Sequence, residues 1–365
     1  MSQTSRILTA LAAALLTLGC TGGSSSSTSG TALYLFDATA PEILVWKDLG
    51  ATASAATTPS ADLTLTSSAL TQTASLAWGG MALDTQRNRL YLLYQNGTVI
   101  RIDQIRSQSG AIQTSNLIVF TLDSSQRLTG SVFGQLALDS QSDTLYACES
   151  GTSGNSRIWA VANPDSLTNG STATLQAITD TQSPTGAAGV AAGQNAAYAY
   201  FANGSQVISG TTTYNGPRLR KGTASAFDPN ATIIGGDTGL DQSTTGSLAL
   251  DTANNVLFVG MDAGSTSTSS PTGGAPVVAF QTGQFGLSAN QTPTFWLGNS
   301  STGAIKALAH PGIKAWLVGL QASGTNGTQT ILVWKAPASG VSAQSLTLGP
   351  SGSQYLGAAL DGTGS

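Results

Sequence analysis

Four aspartates, Asp84, Asp139, Asp251 and Asp361, close the same short motif, Ala-Leu-Asp, at distant points of a 365-residue chain. A repeated carboxylate suggests a calcium ring. The spacing argues against it, because each Asp ends an apolar stretch and opens a turn rich in Gly, Asn, Gln or Ser, where a carboxylate accepts the backbone N–H groups of its own turn. Carboxylates spread over separate turns also cannot converge on one ion that takes about six to eight oxygens. General bases are scarce: one histidine, His310 beside Pro311, and two glutamates, Glu42 and Glu149. No carboxylate is placed in sequence to orient His310, so it reads as a turn residue. Zinc and copper centres are equally hard to assemble, and no catalytic residue, metal ligand or cofactor is assigned. The residues that could touch a ligand are of another kind. Trp78 stands at the start of an apolar strand, and Asp237, Asp241 and Asn299 precede two others. The segment 204–222 reads as an exposed insertion carrying Tyr214, Arg218, Arg220 and Lys221, the densest positive patch of the chain, where an anionic partner would dock. A second insertion, 262–275, is rich in Ser and Thr. Trp46, Trp159 and Trp334 lie within apolar strands and are expected in the core.

Composition narrows the class further. Fourteen Lys and Arg against 18 Asp and Glu give a net charge of −4, and 40% of residues are hydrophobic against 9% charged. Such a chain can bury a large core, and it lacks the basic surface that tracks phosphates, so nucleic acid is not the expected partner.

The N-terminus carries its own address. One Arg at position 6 is followed by the apolar stretch Ile7 to Leu18, too short to span a bilayer and suited to a signal peptide over residues 1–19. Leu16-Thr17-Leu18-Gly19-Cys20 resembles the lipobox of bacterial lipoproteins, which implies lipidation of Cys20 and a membrane partner through that anchor; residues 20–31 then form a Gly/Ser/Thr tether. Thr21 is not Asp, which in the sorting this resembles implies the outer membrane if the host has one. Ordinary secretion, with Cys20 a plain thiol, is the alternative. An acylated Cys20 leaves Cys148 without a disulfide partner, as a buried core thiol.

The elements that must position these residues repeat. Ala-Leu-Asp is followed six and seven residues later by an apolar and an aromatic residue: Leu90-Tyr91, Leu145-Tyr146 and Leu257-Phe258. Degenerate copies put Val190-Ala191 with Ala197-Tyr198, and Ala307-Leu308-Ala309 with Ala315-Trp316. The sixth copy is split, with Ala359-Leu360-Asp361 at one end of the chain and Leu33-Tyr34 at the other. Each unit reads as four short strands, as in Gly80–Leu83, Arg89–Tyr94, Val99–Asp103 and Leu117–Leu122, with Asn96-Gly97 as a type I′ hairpin turn. The pentapeptide Ile-Leu-Val-Trp-Lys occurs identically at 43–47 and 331–335 as a third strand. These signals predict an all-β, six-bladed β-propeller over residues 32–365, closed by pairing the N- and C-terminal strands in one blade, since a split repeat leaves no free edge.

The repeated A-L-D-x5-L-Y pattern resembles the NHL and YVTN propellers of secreted and cell-surface bacterial proteins. That resemblance implies a scaffold. The expected function is an envelope-anchored, non-catalytic binding or scaffolding module whose partner is an envelope protein or a glycan, bound at the face of the 4-to-1 and 2-to-3 loops. Two alternatives stand beside it. A hydrolase resembling the gluconolactonase group would hold calcium in its central funnel, and a structural assembly subunit would have no ligand.

Overall fold

A computed structural model describes residues 30–363, apart from 153–154, 182–183, 204, 209–211, 235–239, 241–245, 262–276, 287–290, 298–303, 313–315, 322–328, 339–340 and the side chains of 205–208 and 212–215. Six antiparallel sheets follow one another along the chain. From the inside out, the first blade runs Tyr355–Asp361, Ala32–Asp37, Glu42–Trp46 and Leu63–Thr66. The second has Leu76–Asp84, Arg89–Tyr94, Thr98–Asp103 and Leu117–Leu122. The third has Val132–Asp139, Thr144–Ser150, Ser156–Ala162 and Gln176–Ala177. Next come Thr185–Gly193, Ala196–Asn203, Arg218–Gly222 and Phe227–Ile234, then Ser247–Asp251, Val256–Gly260, Val277–Gln281 and Phe295–Leu297. The last blade is Ile305–Ala309, Trp316–Gln321, Ile331–Lys335 and Gln344–Leu346.

Closure is direct. Leu33 pairs with Leu360 and Ala32 with Asp361, so the first folded strand lies beside the last. The core shows the same ring. Because both faces of a blade are covered, successive residues of a strand pack in opposite directions: Tyr34 and Phe36 against the second blade, Leu33 and Leu35 against the sixth. This explains why the strands read as continuous apolar runs rather than as alternating ones. Six such clusters occupy the six junctions. The third-strand tryptophans Trp46, Trp159 and Trp334 are buried in three of them. Each fully buried side chain of this size contributes on the order of 2 to 3 kcal/mol relative to exposure. The outer edges of the first three blades are strapped by parallel pairing with a later segment, at Thr66 with Ala111, Thr121–Leu122 with Thr172–Ala173, and Thr179 with Ala226.

Three expectations need correction. Among residues 94–98 only Gly97 has a positive φ, at 87°, and the Gly97 N–H donates to the Tyr94 carbonyl. A type I′ turn needs two such residues, so this hairpin takes the longer form with one left-handed residue. The two-residue turn with both φ positive occurs instead at Gln194 and Asn195. Secondly, Ala191 pairs with Tyr198 and Ala309 with Val318, whereas Ala82 pairs with Tyr91. In the fourth blade the inner strand therefore runs on two residues, to Gly193, while in the sixth, whose inner strand ends at Ala309, both members of the pair sit two residues later than the repeat places them. A shift of two leaves the facing of every side chain unchanged. Thirdly, Arg218 and Arg220 are not in an exposed loop. They form the third strand of the fourth blade and both are completely buried.

Candidate functional site

The inner strand of every blade is an edge strand with no neighbour on its axial side. Every second residue therefore points its N–H and C=O towards the axis. One side chain, that of Gln135, answers three of them. The Gln135 amide donates to the Leu248 carbonyl at 2.6 Å, and its oxygen accepts the N–H groups of Leu248 at 2.9 Å and Val190 at 3.3 Å. One amide of the third blade thus bridges to the fourth and fifth. Four residues before the turn, where the third blade has Gln135, the other blades carry Gly80, Gly189, Ser247, Ala307 and Gly357. The clearance is tight: a Cβ on Gly79 would come within 3.0 Å of Gln135 Cγ, and one on Gly189 within 2.9 Å of its Oε1.

Beyond this plug the axis holds a cavity of about 350 Å³, bounded by all six inner strands. Its walls carry Leu83, Leu138, Leu250 and Leu360 with interleaved alanines, and at its mouth stand the turn residues Gln86, Ser140, Gln141, Gln194 and Thr252. The lining contains no Lys, Arg or Glu among the described residues. Asp139 is its one carboxylate, with Oδ1 accepting from the Gln141 N–H at 3.0 Å and Oδ2 from the Ser142 hydroxyl at 3.0 Å and the Asn195 N–H at 2.8 Å.

The described turns at the mouth are held in two ways. Each repeated Asp does what its position predicts. Asp84 accepts from the Gln86 and Arg87 amides, Asp251 from the Ala253 and Asn254 amides and Asp361 from the Thr363 amide, all within 3.1 Å. The turns are then linked from blade to blade. Arg106 Nε donates to Asp361 at 2.5 Å, Arg87 to the Ser140 carbonyl at 2.9 Å, Gln194 to the Thr252 carbonyl at 2.8 Å, and Ala253 N–H to the Gly312 carbonyl at 3.0 Å. Burial pushes the Asp361 carboxyl up, but the Arg106 guanidinium and Thr363 outweigh it and hold it below the usual range.

His310 belongs to this framework. Its Nδ1 accepts the Gly312 N–H at 3.0 Å, so the ring proton sits on Nε2, 3.6 Å from Asp251 Oδ2, and the ring stacks on Phe258. Burial lowers its pKa to about 4 despite Asp251, which acts to raise it. With its only lone pair engaged, the imidazole is not a free base. Glu149 is also structural, accepting from Trp159 Nε1 at 2.7 Å, Leu128 N–H at 3.2 Å, Arg127 Nε at 3.3 Å and the Ser131 hydroxyl. Burial pushes the Cys148 thiol up to about 12, leaving it an inert core residue. No three of His, Cys, Asp and Glu gather to hold a metal among the described residues.

Of the ligand residues expected from sequence, Trp78 and the two arginines are described with their side chains, and these three are not brought together. Trp78 is half-buried in the inner strand of the second blade, at the end away from the cavity mouth, and packs on the junction with the first blade. Arg220 donates to both carboxylate oxygens of Asp180, at 2.9 and 3.0 Å, and to the Thr232 hydroxyl. Two buried arginines in a strand cannot meet a docking partner. Tyr214 lies in a small hairpin, Ser205–Ile208 with Thr212–Asn215, inserted between the second and third strands of the fourth blade. Asp237, Asp241, Asn299 and Cys20 lie outside the described residues. Sequence reasoning passed over Gln135 and the mouth glutamines. Gln86 and Gln141 had a signal, since each stands two residues after a motif Asp; Gln135 had none, because its partner is 113 residues away.

No family model matches the chain, and no curated protein matches it. Solved structures similar to it include TolB from Acinetobacter baumannii, at 11% identity and TM-score 0.47 over 96% of this chain and 70% of that one. The computationally designed Ika8 protein is similar at 16% identity and TM-score 0.38, with coverage of 83% and 67%. U3-55K is similar at 10% identity and TM-score 0.39, with 73% of this chain covering 63% of that one. At these identities the likeness concerns the fold alone.

Proposed function

We propose that this propeller is a non-catalytic ligand-binding module of the NHL or YVTN kind, held at the bacterial envelope by a lipid on Cys20. The observation that carries the binding reading is the cavity itself: a volume of about 350 Å³ on the axis, reached by all six blades and closed at one end by Gln135. This lies within the size range of small-molecule sites, roughly 300 to 1,000 Å³. The binding face is then the 1-to-2 turn end, opposite to the one expected from sequence. The anchor is supported by Leu16–Cys20 and the tether behind it.

Two measurements test the reading. Cell fractionation of wild type and Cys20→Ser should find the first in the membrane pellet and the second in the soluble fraction; an unchanged distribution rejects the anchor. Thermal unfolding of the purified protein with an envelope extract should show a raised midpoint, and no shift with any fraction rejects the binding module.

A further inference from the structure

The geometry points to the class of that ligand: an uncharged, hydroxyl-rich small molecule of monosaccharide or polyol type. The inference rests on the reading of the channel as a binding site and deepens it.

The wall decides first. It is made of sheet edges, and the way Gln135 is held shows what those edges recognise, since its one amide serves the N–H and C=O of Leu248 and the N–H of Val190 together. An edge that presents donors and acceptors side by side is matched by a group that is both, a carboxamide such as that of Gln135 or, in a small guest, a hydroxyl. An apolar guest would strip water from these backbone groups without replacing it, at about 1 to 3 kcal/mol for each group left unpaired.

Charge decides next. Among the described residues the lining offers no Lys or Arg, so there an anion would be desolvated without compensation. Its single carboxylate, Asp139, already has both oxygens occupied by the Gln141 amide, the Ser142 hydroxyl and the Asn195 amide. A cation would therefore meet one buried carboxylate with most of its acceptor sites taken. Neutral guests meet no such cost. At the mouth, Gln86, Gln141 and Gln194 are exposed amides able to donate and accept, which suits further hydroxyls.

Size decides last. About 350 Å³ is room for roughly a dozen waters at their share of liquid volume. The Gln135 plug leaves one way in, so a single compact guest is expected rather than a threaded polymer.

The test is saturation-transfer NMR and calorimetry on the purified protein with five probes of similar size: glucose, myo-inositol, glucuronate, glucosamine and hexanol. The neutral hydroxylated probes should bind at least about tenfold more tightly than the other three, a difference of about 1.4 kcal/mol. Ala192→Leu, which adds bulk to the cavity wall, should abolish that binding. Gln86→Ala with Gln141→Ala, two exposed positions that do not bear on folding, should weaken it several-fold, so the inference stays testable if the filled variant fails to fold. Equal or tighter binding of a charged or apolar probe, no response to glucose or myo-inositol, or binding indifferent to the variants overturns the inference. If an envelope extract still raises the unfolding midpoint in that event, the binding module stands and only the ligand class falls.

Discussion

His310 lies sealed between Asp251 and Phe258, and the proton it cannot accept gives the molecule an acid limit. In the unfolded chain the imidazole takes a proton near its ordinary value of about 6.5, whereas in the folded state it does so only near 4. Between those values the unfolded state binds more protons, so stability falls as pH drops through that window, by at most about 1.4 kcal/mol per pH unit. Denaturant unfolding at pH 7 and pH 5 should show wild type losing on the order of 1 to 2 kcal/mol more than His310→Gln; equal losses would refute the assignment. Asp361 acts lower down. Its depressed carboxyl contributes stability that disappears as pH falls through the acid carboxylate range. The role of the motif aspartates was legible in the sequence because an Asx turn is local, closed within three residues of the Asp. The role of Arg220 was not, because a buried guanidinium is tolerated only with a partner, and Asp180 is 40 residues away.

Strands were legible where their apolar runs were unbroken. The third strand of the fourth blade was missed because Arg-Leu-Arg-Lys looks solvated, and a buried charge pair is invisible to hydropathy. Registers were legible in blades whose turn keeps its Asp and slipped by two residues in the two that lost it, where nothing marks the turn. Strand backbones approach closely at Gly189: a Cβ there would fall 1.9 Å from the Gly246 carbonyl oxygen. Gly189→Ala should therefore destabilise the fold by about 1 to 3 kcal/mol, as overpacking commonly does, read as a lowered thermal midpoint. Gly283→Ala, with nothing within 4 Å of its Cβ, is the control and should leave the midpoint within about 1 °C.

At the scale of the molecule, closure was readable because a half-repeat at each terminus completes one unit, an arithmetic that needs no side-chain detail. The cavity face was not readable, since it depends on a side chain that crosses the axis. Closure also predicts freedom in where the chain begins. Ala32 and Asp361 are paired, and the turns between other inner pairs, such as Thr85–Asn88, take four residues. A permuted chain with a four-residue link from 361 to 32 and new ends in the 252–255 turn should fold, with a near-native circular dichroism spectrum and a cooperative transition. A chain ending before Tyr355 loses the inner strand of its first blade and should not show that transition.

The amide of Gln135 on the axis also constrains ancestry. Five blades bring small residues to the level that Gln135 crosses, so copies of any of those five are interchangeable there, whereas a duplicated third blade would drive two amides into space for one. Growth of this ring by gene duplication is thereby steered away from a single unit, and lineages with more blades should have multiplied one of the others.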